Sequence, residues 1–336
     1  MLLFIVRRLA LTLPVLFGLL TLTFVMIHAI PADPAAVLAG DQASPAQIEA
    51  LRHQYGFDRP IVEQFLIYLG EIGRGSLGQS YVTREPVLTE IAQRLPATLE
   101  LTLSAMTLAV FIGIPLGLIA ALNHNHWVDN LLTVLTVGGL SIAPFLLALI
   151  LQFTFSMDLN LLPVHGRLSA EVAPPPGITG FYLIDSVVSG EFTTFKDAFL
   201  HLILPTIALA VGPLATLTRF TRSAVLTTLP NDFINYGRAA GYPRFILMTK
   251  YVLRNSLITP VTQVGLLFGA TLAGAVVVES LFDWPGLGSY AVTAIATSDY
   301  QATLAVVLIV GALYALINIL VDIVHAWIDP RIMERL

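Results

Sequence analysis

Six basic side chains, Arg219, Arg222, Arg238, Arg244, Lys250 and Arg254, fall between Thr218 and Asn255 against a single acid, Asp232. Among them runs DFINYGRAAGYPRF. Asn231 or Asp232 is placed there to cap a helix through Phe233, Tyr236 and Ala240, and Gly241 to end it in a left-handed turn. Pro243 then opens a second helix reaching about Arg254. A unit of this kind performs no covalent chemistry. It holds a short helix and a tight glycine turn out for another molecule to grip. An amphipathic loop on anionic headgroups explains the outer Arg219 and Arg222 equally well, but lipid contact needs no helix–glycine–helix turn.

Other reactive side chains are few. Glu100, Glu279 and Asp322 lie near the ends of apolar runs, where proton or ammonium handling competes with an ordinary helix-end role, and interfacial depth favours the latter. Glu279 keeps a substrate-path reading, because a substrate carrying an amino group needs an acid on its way. It precedes Asp283-Trp284-Pro285-Gly286-Leu287-Gly288, a turn in which Trp284 is expected as an interfacial anchor and which could line a gate. His124, His126 and Asp129 cluster in a short loop, without the helical spacing that presents ligands to one metal. There is no Gly-Lys dipeptide, hence no phosphate-binding loop of the G-x-x-x-x-G-K-[ST] type, and no cysteine for thiol chemistry or disulfides. No catalytic residue, metal site or nucleic-acid partner is expected, and any ATP hydrolysis must come from a separate chain.

These residues are held by a membrane protein. Of 336 residues, 56% are hydrophobic and 12% charged, about half the charged fraction of a soluble domain, and the mean hydropathy is +0.81. The apolar runs are long and continuous rather than alternating, which selects helices over a barrel. Six spans are expected, near 9–29, 97–121, 131–155, 199–217, 257–280 and 303–327. Pro14, Pro115, Pro144, Pro205, Pro213 and Pro260 fall within or at the ends of these spans, as kinks or helix starts. The first span follows Arg7 and Arg8 and lacks a small-residue cleavage site, so it reads as a retained helix. With the N-terminus inside, the cytoplasmic pieces carry ten Lys/Arg and four acids (Asp129, Asp232, Asp329 and Glu334), and the outer loops seven Lys/Arg and fifteen acids. That asymmetry puts both termini in the cytoplasm.

Two outer stretches are sizeable. In 31–96, Ser44 is placed to cap a helix begun by Pro45, and RPIVEQFLIYLGEI sets Ile61, Phe65, Tyr68 and Leu69 on one helical face. In 156–198, a proline break precedes ITGFYLIDSVVSGEF. Gly113 and Gly117 form a G-x-x-x-G in the second span, first a close-packing surface and second a dimer seam. The chain thus divides into 1–30 (N-terminal cytoplasmic end and first helix), 31–96 (outer helical segment) and 97–336. The last is a core of five spans with an outer insertion at 156–198 and a long cytoplasmic loop at 218–256, the stretches that the resemblance given next makes periplasmic insertion and coupling loop.

Residues 232–255 resemble the cytoplasmic EAA loop of permease subunits in ABC importers of the peptide/nickel branch. Arg238-Ala239-Ala240-Gly241 stands at the small-residue Arg-Ala-x-Gly core, and Leu253-Arg254-Asn255 matches that branch's Leu-Arg-Asn. Gly237 and Ala240 replace residues more often alanine and lysine, and Thr259-Pro260 displaces the usual proline by one position. The likeness continues through FIVRRLAL at the N-terminus, LPATLEL from 95, GIPLG from 113, LLPVHGR from 161, HLILP from 201, ESLFDWPGLG from 279 and VDIVHAWIDPRI from 321. Order and spacing make the match specific, and it is nearest the B-type dipeptide permeases. The resemblance implies an all-α, six-helix type I permease in a bacterial inner membrane. Its coupling helix (Asp232, Phe233, Tyr236, Gly237, Arg238, Ala239, Ala240, Gly241) would seat in an ATP-binding subunit. It also implies a homologous second permease, two ATP-binding subunits that hold ATP and magnesium, an extracytoplasmic binding protein, surrounding lipid and a short-peptide substrate, with no cofactor on this chain. Competing readings are a permease for nickel or another solute, a self-sufficient secondary transporter using Glu279 and Asp322 for protons, and a membrane scaffold without transport.

Overall fold

A computed structural model describes residues 2–29, 33–40 and 43–328; the expected cytoplasmic acids Asp329 and Glu334 and the end of the VDIVHAWIDPRI string lie outside the described residues. The described chain is helical, with one isolated antiparallel bridge between Gln79 and Pro86. Five helices are long and apolar enough to cross a membrane, and a bent pair makes six. In chain order they are α1 (Leu2–Ala29), α5 (Val87–Leu122), the pair α6 (Trp127–Ser141) and α7 (Pro144–Leu151), α9 (Phe192–Thr228), α13 (Ile258–Leu281) and α15 (Tyr300–Ile328). Between them lie α2 (Pro34–Ala39), α3 (Pro45–Tyr55), α4 (Ile61–Gly73), α8 (Tyr182–Ser189), α10 (Asp232–Ala239), α11 (Arg244–Ile246), α12 (Arg254–Ser256) and α14 (Leu287–Ala296).

The span expected as one helix over 131–155 is divided. Proline lacks an N–H and crowds the preceding residue out of the helical region. Ile142 and Ala143 are accordingly extended, α7 starts afresh at Pro144, and the axis turns by 100°. Beyond Leu151 the helix widens to i→i+5 hydrogen bonding over Gln152–Asp158. Prolines inside α1 and α9 leave those helices unbroken.

The chain forms two compact units. The first takes residues within 1–98 and 285–315. Its small helices are capped, α3 by Ser44 as expected, and α2 by Asp33, a cap not expected from the sequence. Asp33 accepts from the Ala35 amide, Ser44 and Gln47 form a reciprocal capping box, and Gly56 closes α3 at φ 72°. An Arg52–Asp33 ion pair of 2.6 Å ties α3 to the start of α2. Tyr68 of α4 packs with Leu20, Phe24, Ile27 and Leu304, with Phe65 and Leu69 at the edge. Ile61, expected on the same face, is exposed, because it begins the helix one turn short of that cluster. Leu287, Tyr290 and Ala294 of α14 pack with Val87, Ile91, Ala302, Ala305 and Val306.

The second unit takes residues within 99–284 and 316–336. Its centre is α9, against which α6, α7, α8 and α13 pack. Gly113 and Gly117 of α5 supply the close-packing surface. A Cβ on Gly113 would stand 2.9 Å from the Leu214 carbonyl oxygen, and one on Gly117 would stand 2.5 Å from that of Thr218. The G-x-x-x-G seam is therefore spent within the chain, on α9.

Candidate functional site

The basic segment, in the second unit, is not a loop from 218 as expected: α9 runs on to Thr228 and carries Arg219 and Arg222, and the segment continues through α10, α11 and α12. Asn231 takes the cap position in extended conformation and its carbonyl accepts from the Ile234 amide at 3.0 Å, but neither Asn231 nor Asp232 caps through its side chain as expected. Asp232 is instead the first helical residue, where a carboxylate suits the positive end of the helix dipole. The C-terminus follows the expected geometry. Gly241 sits at φ +78°, the Gly241 amide donates to the Arg238 carbonyl at 3.1 Å and the Tyr242 amide to the Gly237 carbonyl at 3.0 Å. Those two bonds make a complete Schellman motif.

Two residues face inward. Ile234 is fully buried against Ala121, Val225 and Val252. Gly237, one turn on, lets Leu247 approach so closely that a Cβ would stand 2.6 Å from its Cδ2. Asp232, Phe233, Tyr236, Arg238, Ala239, Ala240 and Gly241 are exposed, Tyr236 at 73% and Phe245 of the next turn at 76%. Exposed aromatics on a backbone fixed from beneath are what a docking surface requires. Beside them Arg238, Tyr242, Arg244 and Met248 line an open hollow of about 490 Å³.

Pro243 differs from expectation by one residue. It precedes the second helix with extended geometry, and Arg244 opens it. The helix then widens to i→i+5 bonding over Leu247–Leu253 and continues to Ser256 rather than stopping near Arg254. The widening brings residues five apart towards one face, which lets Leu247 and Val252 both bury. Ser256 Oγ meets Thr228 Oγ1 at 3.0 Å, joining the end of the loop to the end of α9.

Arg222, for which headgroup contact and a gripped surface are equally open readings in the sequence, has a partner within the chain. Its guanidinium holds the buried Asp129 carboxylate with two bonds, Nε to Oδ1 at 2.5 Å and Nη2 to Oδ2 at 2.7 Å. His124 Nδ1 lies 3.2 Å from Asp129 Oδ2. The three-residue cluster is thus a clamp between the start of α6 and the last turns of α9.

Of the acids near the spans, Glu100 is buried in an ion pair with Arg167 at 2.5 Å, and its other oxygen accepts the Leu183 amide at 2.8 Å. Arg167 also donates to the Gly180 carbonyl at 3.1 Å and lies 3.5 Å over the Tyr182 ring. This partnership, 67 residues apart, was not read from the sequence. The available signal is that Arg167 is the sole arginine of the 156–198 insertion.

Glu279 is fully buried, its carbonyl accepting the Trp284 amide at 2.8 Å. Trp284 is 1% exposed with Arg167 5.6 Å from its ring; it is a core residue, not the expected interfacial anchor. Asp283 between them is exposed at φ +48°. The turn is locked to the insertion by the Gly166 amide on the Phe282 carbonyl at 2.8 Å, and by Gln152 Nε2 bridging the Val164 and Leu281 carbonyls at 3.0 and 3.1 Å.

Residues 113–334 match the family described as the binding-protein-dependent transport system inner membrane component, and residues 1–102 match its N-terminal region. The chain is 42% identical to the "Probable D,D-dipeptide transport system permease protein DdpB" of Escherichia coli K12, over 95% of this chain and 94% of that protein. It is 42% identical to the di/tripeptide transport system permease protein DppB of Pseudomonas aeruginosa, over the full length of both. With the glutathione transport system permease protein GsiC of Escherichia coli O6:H1 it shares 36% identity, again over the full length of both. A helical chain with five long apolar helices and a sixth, bent span, matched from end to end in this way, belongs to the inner-membrane permease subunits of binding-protein-dependent ABC importers.

Proposed function

We propose that the chain conducts dipeptides or short oligopeptides across a bacterial inner membrane as half of a two-permease pathway. Hydrolysis takes place on two separate ATP-binding subunits, which carry the ATP and magnesium; this chain is not an enzyme and holds no cofactor. An extracytoplasmic binding protein delivers substrate to the surfaces formed by 31–96 and 156–198, and both termini lie in the cytoplasm. The observation that carries the reading is the α10–Gly241 unit: an exposed aromatic and basic surface whose underside, Ile234 and Gly237, is wedged into the core. The coupling surface is assigned to Asp232, Phe233, Tyr236, Arg238, Ala239, Ala240 and Gly241, and Gly237, expected among them, lies beneath it on Leu247. Closure of the ATP-binding subunits would push this lever, and a helix bundle with two packings would convert the push into alternating access. Asp283 is assigned to an outer gate, with the buried Glu279 and Trp284 fixing the turn that presents it.

Gly241→Val tests the lever. A β-branched residue in the left-handed region costs about 1–2 kcal/mol and would reopen the Schellman turn. In vesicles holding all partners, ATP hydrolysis by the variant should continue while uptake of labelled Ala-Ala falls about tenfold, the factor that corresponds to roughly 1.4 kcal/mol. Normal coupled uptake would sink the assignment.

A further inference from the structure

Between α5, α8 and α9, wholly within the second unit, runs an open groove of about 650 Å³. Leu103 and Phe111 of α5, Ile184 of α8, and Phe199, Ile203 and Ile207 of α9 line it. Its one charged lining residue, Glu100, stands at the outer end with its charge met by Arg167. Only the hydroxyls of Ser104, Thr107 and Thr206 interrupt the apolar wall. The groove has a local cause. Gly113 and Gly117 bring α5 onto the α9 backbone, and outward of them neither helix has a glycine over 100–111 or 199–207, so side chains hold the two apart.

Its length is that of one leaflet. From Glu100 to Phe111 an α-helix rises about 16 Å, roughly half of the ~30 Å hydrocarbon core. Both α5 and α9 are among the long apolar helices, so the groove runs from the interface beside the insertion towards the bilayer centre. At its outer end α8 is turned inside out for water. Asp185 and Ser186 are fully buried, whereas Ile184, Val187 and Val188 are exposed. The buried pair is satisfied locally: Asp185 accepts from the Thr179 hydroxyl at 2.6 Å and the Gly180 amide at 2.8 Å, and the Ser186 hydroxyl donates to the Tyr182 carbonyl at 2.6 Å. A short helix that keeps its polar side in and its apolar side out suits acyl chains.

Charge marks where a headgroup would lie. Lys196 precedes Phe199, Ile203 and Ile207 at spacings of three, four and four, which sets it on the groove face of α9 about one turn outward of Phe199. It is exposed. The acids nearest in sequence are engaged elsewhere: Asp197 accepts the Ser169 amide and hydroxyl at 2.7 and 2.8 Å, and Glu191 accepts the Thr194 hydroxyl at 3.3 Å. A lysine above an apolar groove at headgroup depth complements a phosphate.

We infer that this groove holds one acyl chain of a phospholipid from the leaflet on the insertion side, with the lipid phosphate on Lys196. The chain fills the space that α5 and α9 leave outward of their glycine contact. The inference is independent of the transport reading, since binding to this chain alone tests it.

The full-length chain in detergent is titrated with dioleoylphosphatidylglycerol and with dioleoylglycerol, and the first lipid adduct is quantified by native mass spectrometry. Dioleoylglycerol, which lacks the phosphate, should bind about fivefold more weakly, the factor that one lysine beside a phospholipid headgroup carries. Lys196→Gln should weaken phosphatidylglycerol by the same factor and leave dioleoylglycerol unchanged. Leu103→Trp and Thr107→Trp fill the groove from exposed positions and should weaken both lipids at least about tenfold, as expected when two or more methylenes lose their burial. Leu135→Trp, exposed on α6 outside the groove, should change neither. Melting curves report folding, and Lys196→Gln, at an exposed position, reads the proposal even where a tryptophan variant does not fold. Equal affinity of the wild type for the two lipids, or wild-type affinity in Lys196→Gln or in a folded groove variant, would leave only general solvation by lipid and overturn the proposal. Release of the lipid when the homologous second permease is added would assign the groove to that chain and overturn it equally.

Discussion

Among single residues, two buried acids are paired with arginines over long sequence distances, Glu100 with Arg167 and Asp129 with Arg222. Asp129 is 2% exposed and Arg222 answers it from 93 residues away. Removing one partner of such a pair leaves an uncompensated buried charge. Asp129→Asn and Arg222→Met should each lower stability by about 3–5 kcal/mol, less if water reaches the half-exposed arginine. The double variant Asp129→Asn/Arg222→Met should recover part of the loss, and thermal melting of the four proteins reads the coupling. Asp185 gives a pH-dependent case. Burial acts to raise its carboxyl, but bonds from the Thr179 hydroxyl and the Thr179, Gly180 and Ile178 amides outweigh that and hold it below the ordinary 3.8. A carboxylate held low in the folded state contributes stability above the unfolded value and loses it as pH falls through the folded one. The melting difference between wild type and Asp185→Asn should therefore be full near neutrality and shrink below about pH 4.

Among elements, the boundaries that were readable rest on local chemistry, whereas α5 and α9 extend well beyond the expected spans 97–121 and 199–217. Pro45 with the Ser44–Gln47 box starts α3, and Gly241 ends α10, since proline and glycine act on their own backbone. The long apolar runs were equally plain. What local chemistry does not give is a break whose strength depends on packing. Pro205 and Pro213 sit inside an unbroken α9, whereas Pro144 divides α6 from α7 by 100°. The i→i+5 turns at Gln152–Asp158 and Leu247–Leu253 likewise serve burial rather than any sequence signal. The α5–α9 contact yields a prediction at this scale. Gly117→Val would drive side-chain atoms into Thr218 and Thr221, where even a Cβ lies 2.6 Å from Thr221 Cβ. Overpacking of that kind costs about 1–3 kcal/mol, so the variant should melt earlier, with Gly18→Val, where a Cβ meets nothing within 4 Å, as the neutral control.

At the scale of the whole molecule, orientation links the two functional surfaces. The absence of cysteine makes any introduced one unique. Asn235→Cys on α10 and Glu171→Cys in the insertion are both exposed sites. An impermeant maleimide should label the first only from the cytoplasmic face of oriented vesicles and the second only from the other. Labelling of Asn235→Cys from the outer face would remove the coupling role from 218–256, and labelling of both sites from the cytoplasmic face would remove the outer placement of 156–198.

Composition and local backbone preference are enough to establish a helical membrane protein, six apolar runs, a short helix closed by Gly241 and the absence of a phosphate loop. The order and spacing of its short motifs also carry the family resemblance. The tertiary structure decided what depends on which surfaces meet. It paired Arg222 with Asp129 and Glu100 with Arg167, buried Glu279 and Trp284, and made Gly237 a contact for Leu247. The reason is physical: a charge or a glycine declares its chemistry in the sequence, but its partner is fixed only when distant helices pack and each buried group must be satisfied.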